Sequence, residues 1–344
     1  MSKTVLLFAG AGASTAVNAD RYPTTSQFFD RLPKNVTSSP VFTILLEYLK
    51  QSQRDGRVDV EQVLWTLGEL DEFLSHMSDS ATLAHWLLSK GKYAALVNKS
   101  VDVRPVVGLA SQIHPAAAAV RDSINAQVYD LYASPPTPDE LRVTWLPLLE
   151  AALGHFDRVE LFTTNYDLVL EYAIAEGKLP ISDGRVGGTL RPTLDVDVWS
   201  RFEERKHGLL TKLHGSVDWS RQGTAILVGN PLYKGDHRRH VIIYPGFKGA
   251  PAAEPFIAFH RHLVRVARAA AAVLFVGFAF RDQHVNELLT SAVRPRTPIL
   301  VINPEEHLDI PFERSSALEH LSKRFDEDTA LYAAGWLLDS AGAT

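Results

Sequence analysis

The strongest constraint on this chain is a series of short runs that are apolar at nearly every position: Thr4 to Phe8, Val159 to Thr163, Val273 to Val276 and Ile299 to Ile302. Runs of this length, rich in β-branched residues and lacking regular polar alternation, are strands covered on both faces, the condition of a parallel sheet. Helical patterns separate them. A helix is expected over Asp167 to Ala175, closed by Gly177, another over Phe256 to Ala271 and a third from about Gln283 to Ala292. Further short strands are expected at Leu209 to Leu213, Ala225 to Val228 and Val241 to Tyr244. Strands alternating with helices wind a parallel sheet with helices on both faces, so the fold class is α/β.

From about residue 26 to 156 the pattern takes the period of a helix. Phe42, Leu45, Leu46 and Leu49 recur at helical spacing, as do Val60, Val63, Leu64, Leu67 and Leu70, and the stretch reads as a helical insertion. Pro135, Pro136 and Pro138 break it, and Thr137 to Glu140 form a capping box with proline at the first helical position. Pro147 is expected to end or kink the helix that follows. The α/β domain is expected over 1–310, with amphipathic C-terminal helices at 311–344 packed on it, one opening at Ser316 with Glu319 completing a Ser-x-x-Glu cap.

Composition narrows the chemistry. The 344 residues include no cysteine, which removes disulfides, thiolate nucleophiles, iron–sulfur clusters and cysteine-based zinc sites. Lys and Arg number 35 against 40 Asp and Glu, a net charge of −5 that argues against an overall electrostatic grip on nucleic acid. The longest apolar run, Ala269 to Phe280, is too short to cross a bilayer and is interrupted by Gly277. The apolar stretch at the N-terminus falls short of a secretory signal, so a cytoplasmic protein is expected.

In a doubly wound sheet ligands bind outside the carboxyl ends of the strands, so the residues just after each apolar run carry the chemistry. After the first run come Gly10, Ala11, Gly12, Ala13 and Ser14. Glycines there let a backbone approach a pyrophosphate, although a tight turn beneath a helix explains them equally well, and the third glycine of a dehydrogenase fingerprint would fall at Thr15. After the second come Thr163, Thr164, Asn165, Tyr166 and Asp167: Asn165 can donate and accept at once, Asp167 can bind a ribose hydroxyl, and either can cap the next helix. His214, beside Gly215 at a strand end, is a candidate general base. Gly277 to Asp282 follow the most apolar strand, with Asp282 expected as a helix N-cap; Asn303 ends the last strand, with Pro304 expected to start a helix.

Read in order, GAGAS, TTNYD, KLHGS, GFAFRD and VINPE resemble the motif series of the sirtuin-like NAD-binding fold, with spacing similar to that of its bacterial antiviral members. The resemblance covers Thr4 to about residue 24 and Val159 to Glu305. It implies a Rossmann-like parallel sheet in which Gly10, Ala11, Gly12 and Ser14 cradle the dinucleotide phosphates. It places Asn165 and Asp167 at the nicotinamide ribose with Thr164 beside them, and makes His214 the base. Gly277 and Phe278 fall in the turn lining the cofactor and Asn303 near the adenosine. Sirtuin deacylases carry a zinc ribbon of four cysteines after the catalytic histidine, and this chain has none. His237 and His240 are three apart and read as part of a charged surface loop rather than a metal site.

What remains resembles the sirtuin-like NAD hydrolases of bacterial defence, which cleave NAD to nicotinamide and ADP-ribose. Loss of nicotinamide passes through an oxocarbenium-like ribose, so a protein must hold the dinucleotide, stabilise developing positive charge and place a water, and no metal is required. The expected roles are Asn165 orienting the water or the carboxamide, Asp167 fixing the ribose and His214 accepting a proton. Such an activity must be gated. The resemblance implies gating by homo-oligomerisation or by a partner that senses nucleic acid, such as a short Argonaute or a HerA-type ATPase. Arg261, Arg265 and Arg268 share one helix face that either meets an acidic partner or is simply solvated. Two other classes compete: an NAD-dependent protein deacylase, and a non-catalytic module that senses NAD or ADP-ribose.

Overall fold

The computed structural model describes residues 3–24, 27–52, 58–77, 104–187, 192–201, 208–229, 240–243, 253–312 and 317–342. The chain begins with β1 (Thr4–Ala9) and α1 (Ala11–Val17), then runs through α2 (Lys34–Thr37), α3 (Pro40–Ser52), α4 (Val60–Met77), α5 (Arg104–Tyr132), α6 (Pro138–Arg142) and α7 (Trp145–His155). Next come β2 (Arg158–Thr163), α8 (Val169–Glu176), β3 (Ile181–Ser182), β4 (Arg185–Val186), β5 (Thr193–Leu194), β6 (Gly208–Lys212), β7 (Gly215–Gln222), β8 (Ala225–Val228) and β9 (His240–Ile242). The remainder is α9 (Phe256–Ala269), β10 (Ala270–Val276), α10 (Gln283–Ala292), β11 (Ile299–Ile302), β12 (Leu318–Leu321) and α11 (Glu327–Gly342). Two compact units result, one of residues 1–24, 129–243 and 247–344, the other of 25–128 and 244–246. Helices α6 and α7, read from the sequence as part of the insertion, therefore lie in the first unit.

The first unit is built on a seven-stranded sheet in the order β12-β11-β10-β1-β2-β6-β3, parallel throughout. The four apolar runs are its central neighbours β11, β10, β1 and β2, and all six residues of β1 are buried, as both-face coverage requires. Phe8 packs against Phe162, Phe275 and Phe278, the last at a ring separation of 4.5 Å. A fully buried pair also crosses from sheet to helix: His262 of α9 meets Glu160 of β2, Nε2 to Oε2 2.9 Å.

In the second unit the helical periodicity is met residue by residue. Helix α3 buries Phe42, Leu45 and Leu49, α4 buries Val60, Val63, Leu64 and Leu67, and Leu46 and Leu70 are half-buried. Asp71 of α4 is tied to α5 by Arg121 and by His114, whose Nε2 lies 2.9 Å away.

Local signals fared unevenly. The capping box forms as read: Thr137 Oγ1 accepts from the Glu140 amide at 3.3 Å, and the Glu140 carboxylate accepts from the Thr137 amide at 2.7 Å. Pro147 neither ends nor kinks that helix, which stops at Arg142; it sits in the first turn of α7, where its missing N–H costs nothing. No helix starts at Pro304. The helix expected from Ser316, itself outside the described residues, gives way to strand β12, paired in parallel with β11 from Ile299↔Leu318 to Ile302↔Leu321. The exposed ladder of β11 offers hydrogen bonds to a whole strand, more than one cap contributes, so among the described residues of the C-terminal stretch only α11 is helical.

Of the short strands, β6 joins the parallel sheet. Strands β8 and β9 enter a separate five-stranded antiparallel sheet, β4-β5-β8-β7-β9, around β7, which is too polar to read as a strand.

Gly277 closes the turn after β10 at φ 59°, and a Cβ there would stand 2.1 Å from the Ala13 nitrogen and 2.4 Å from the Gly12 carbonyl carbon. Gly277→Ala is therefore expected to destabilise the fold by about 2–3 kcal/mol or to abolish soluble expression, measured by urea denaturation. Gly223→Ala, at φ 60° with open space around it, should cost far less.

Candidate active site

The sheet register aligns the strand ends. Ile302, Val276, Ala9, Thr163 and Lys212 form one row across β11, β10, β1, β2 and β6. The next residues along each strand are Asn303, Gly277, Gly10, Thr164 and Leu213, so every sequence-predicted site segment leaves the sheet along one carboxyl edge. Chain order reverses at β1, with β2 on one side and β10 on the other. Such a switch point is where doubly wound sheets bind ligands.

The two turns beside the switch point are locked together by backbone. The Gly10 amide donates to the Val276 carbonyl at 2.9 Å and the Gly12 amide to the Gly277 carbonyl at 3.0 Å. A Cβ on Gly10 would lie 2.5 Å from the Gly277 oxygen and from Phe278 Cα. These glycines thus serve the approach of two protein backbones. The Phe278 ring is buried among Phe8, Phe275 and Phe280. Asn303 is committed to two protein turns: its Nδ2 donates to the Phe278 carbonyl of the turn after β10 at 3.0 Å, and its Oδ1 accepts from the Glu305 amide of its own turn at 2.9 Å.

Asn165, Ser14 and Asp167 form a connected cluster. Asn165 is set by its own amide, which donates to Thr163 Oγ1 at 2.9 Å, while Thr163 Oγ1 donates to the Ala9 carbonyl at 3.0 Å. Its Nδ2 then donates to the Gly10 carbonyl and to Ser14 Oγ, each at 2.9 Å, and its Oδ1 has no partner among the described residues. Ser14 stands beside Asp167 and favours its charged form, and the Asp167 Oδ1 accepts the Val169 amide at 3.0 Å where α8 opens. Burial pushes the Asp167 carboxyl above its ordinary pKa, against the pull of Lys212, Ser14 and the Val169 amide.

Beneath this cluster Lys212, itself buried, donates to the Asp167 carbonyl and to Glu171 Oε1, the latter at 2.8 Å. Burial raises Glu171 to about 7, outweighing the neighbouring Lys212 charge. Neither stands out in the sequence as a site residue. The signals were Lys212 at the end of β6, two residues before His214 in the turn that follows, and Glu171 four residues after Asp167.

His214 belongs to a second cluster, across the ring of Tyr166, whose centroid is 6.4 Å away. No hydrogen bond joins His214 to Asn165 among the described residues. The His214 Nε2 lies 2.9 Å from Asp282 Oδ2, while its Nδ1 is buried without a partner. Asp282 caps α10 as expected, Oδ1 accepting from the Val285 amide at 3.0 Å, but it holds the histidine as well. Burial alone would raise the Asp282 carboxyl; the hydrogen bond and charge of His214 hold it below its usual value instead. His260 and His284 stand alongside, Nδ1 to Nε2 3.2 Å. Of the arginine stripe on α9, Arg261, Arg265 and Arg268 are exposed, and Arg265 donates to the Ser200 carbonyl at 3.2 Å, whereas His260 and His262 point inward and are buried.

His237 lies outside the described residues, and His240 opens β9. Among the described residues no three His, Asp or Glu side chains are grouped to hold a metal ion, and no helix is long and apolar enough to cross a membrane.

A doubly wound sheet with polar clusters gathered at its switch-point edge defines an α/β class that binds its ligands at that edge. Residues 159–323, just under half of the chain, match the family model described as SIR2-like domain. Among curated proteins none matches the sequence significantly. Solved structures similar to it include one titled as the structural basis for the mechanism and regulation of Sir2 enzymes (10% identity, 99% of this chain and 93% of that chain, TM-score 0.43). A Sir2 homologue–NAD complex (11%, 99% and 91%, TM-score 0.39) and a Sir2 bound to acetylated peptide (13%, 100% and 95%, TM-score 0.40) are further examples.

The Glu171 shift has a signed consequence. Its folded pKa of about 7 lies above the ordinary 4.5, so the folded chain holds this proton more tightly than the unfolded chain does. The stability contributed by that proton is complete below the unfolded value and is lost as pH rises through the folded one. Urea denaturation from pH 4.5 to 8 is expected to show the parent losing stability relative to Glu171→Gln across this window. A constant difference between the two would contradict the assignment.

Proposed function

We propose that this chain is an NAD glycohydrolase, cleaving NAD to nicotinamide and ADP-ribose. The observation that carries the reading is the carboxyl edge of the sheet. There the Asn165–Ser14–Asp167 cluster stands one strand from His214, and each of the two clusters has a polar atom without a partner among the described residues, Asn165 Oδ1 and His214 Nδ1. These atoms suit a substrate bearing hydroxyl and amide groups. With the Gly10, Gly12 and Ala13 amides already donated to carbonyls, the Ala11 amide is the backbone donor for a phosphate. Thr164, Gly277, Phe278 and Asn303 shape the wall rather than offer side-chain contacts.

In this reading Asn165 orients the carboxamide or the attacking water through Oδ1, because both of its N–H groups are spent on Gly10 and Ser14. Asp167 fixes a ribose hydroxyl, and His214 takes a proton from a ribose hydroxyl or from the water. Hydrolysis is favoured over deacylation because a chain without cysteine has no four-cysteine zinc ribbon to shape an acyl-lysine cleft. The resemblance to the antiviral branch extends the proposal to a cytoplasmic, gated effector of bacterial defence. Its control would come from self-assembly or a nucleic-acid-sensing partner.

The test is nicotinamide release from NAD by the chain purified with its cellular partners, with and without an acylated peptide. Asn165→Ala and His214→Ala are each expected to slow release by ~100–1000-fold while leaving the urea midpoint close to that of the parent. Release at the parental rate in both variants overturns the site. NAD consumption only in the presence of peptide makes the chain a deacylase, and tight NAD binding without turnover makes it a sensor.

A further inference from the structure

His214 has one ring nitrogen held and the other bare, and the residue that holds it has a second duty. Asp282 uses both carboxylate oxygens: Oδ1 accepts the Val285 amide at the start of α10, and Oδ2 faces His214 Nε2 at 2.9 Å. A carboxylate is acceptor-only, so the Nε2 it faces must carry the proton. The His214 Nδ1, buried and without a partner, then presents a lone pair. The other groups at this ring are Tyr166, whose hydroxyl donates to the Ile243 carbonyl at 3.2 Å, and His260 with His284. Burial, with His284 and His214 beside it, lowers His260 to about 4, so at neutral pH Asp282 supplies the charge at the ring.

We infer that Asp282 is a positioning residue that fixes His214 as its Nε2–H tautomer and thereby makes Nδ1 the atom that accepts the proton. The inference rests on the proposed role of His214 as base, and it adds which nitrogen acts and what selects it. No bond besides the N–H is made or broken at His214: the proton arriving at Nδ1 gives an imidazolium whose positive charge is shared with the Asp282 carboxylate, and it leaves again to solvent.

The substitution Asp282→Asn tests this because the two duties of Asp282 conflict in an amide. The Val285 N–H requires an acceptor, so the single amide oxygen is drawn to the helix cap and the NH2 turns to His214. Nε2 must then accept, which moves the ring proton to Nδ1 and removes the lone pair. Two-bond 1H–15N correlation of the imidazoles, with His214→Gln used to assign the signals, reads the tautomer without any turnover. The parent is expected as Nε2–H and Asp282→Asn as Nδ1–H, with nicotinamide release slowed ~100-fold or more and an unchanged urea midpoint. A parent that is Nδ1–H, or a variant with the parental tautomer, overturns the inference. A switched tautomer with parental turnover overturns the assignment of Nδ1 as the acting atom. A switched tautomer in a chain whose parent consumes no NAD upholds the positioning and removes the proposed activity instead. Should Asp282→Asn fail to fold, the parental tautomer alone decides whether Asp282 holds a protonated Nε2.

Discussion

The contact on which the rest of the structure depends is made by main chain alone, where the turn after β1 presses on the turn after β10. Gly10 and Gly12 meet Gly277 and the Phe278 backbone with no space for a Cβ on either side, and two amide–carbonyl bonds tie the turns together. Three polar residues of the candidate site are referenced to this junction. Asn165 hangs from the Gly10 carbonyl, Asn303 from the Phe278 carbonyl, and Asp282 follows Gly277 into α10. Close backbone packing tolerates little displacement, because interiors are dense and any added methyl must push main chain aside.

Around that junction the molecule buries an unusual amount of ionisable chemistry. Lys212 with Glu171, His214 with Asp282 and His262 with Glu160 are each paired, yet the pairs differ in what they leave exposed to a ligand. Buried ion pairs contribute little net stability, since desolvation offsets most of the attraction, so their presence at one edge of a sheet asks for another reason. His262 and Glu160 are enclosed in the core between α9 and β2 and act in packing. The pairs at Lys212 and His214 stand at strand ends, where perturbed titration and atoms without protein partners are the marks of a functional site.

The sequence carried the central sheet plainly, because strands covered on both faces are apolar at nearly every position. The Thr137 cap was legible for a similar reason: a capping box involves residues three apart and needs no tertiary help. Strand β7 was not, since it buries Ser216 and Ser220 beside Val217 and Trp219, so its sequence lacks an apolar run and its pairing with β8 and β9 defines it. Nor was β12, where Leu318 to Leu321 would suit either state and the open edge of β11 settled it. At the site, the strand-end positions of Asn165, Asp167 and His214 were readable, while their partners were not.

What the sequence determined by itself is therefore the set of strands and the residues that follow each of them, because burial and turn chemistry are properties of a few consecutive positions. Only the tertiary structure decided what those residues touch. The glycines read as a place for a ligand to approach also turned out to be where two turns meet. Asn303 was absorbed by its own turn and the one after β10, and an aspartate read as a helix cap proved to hold a histidine 68 residues away along the chain. Such pairings come from the register of non-adjacent strands, and no local pattern encodes them.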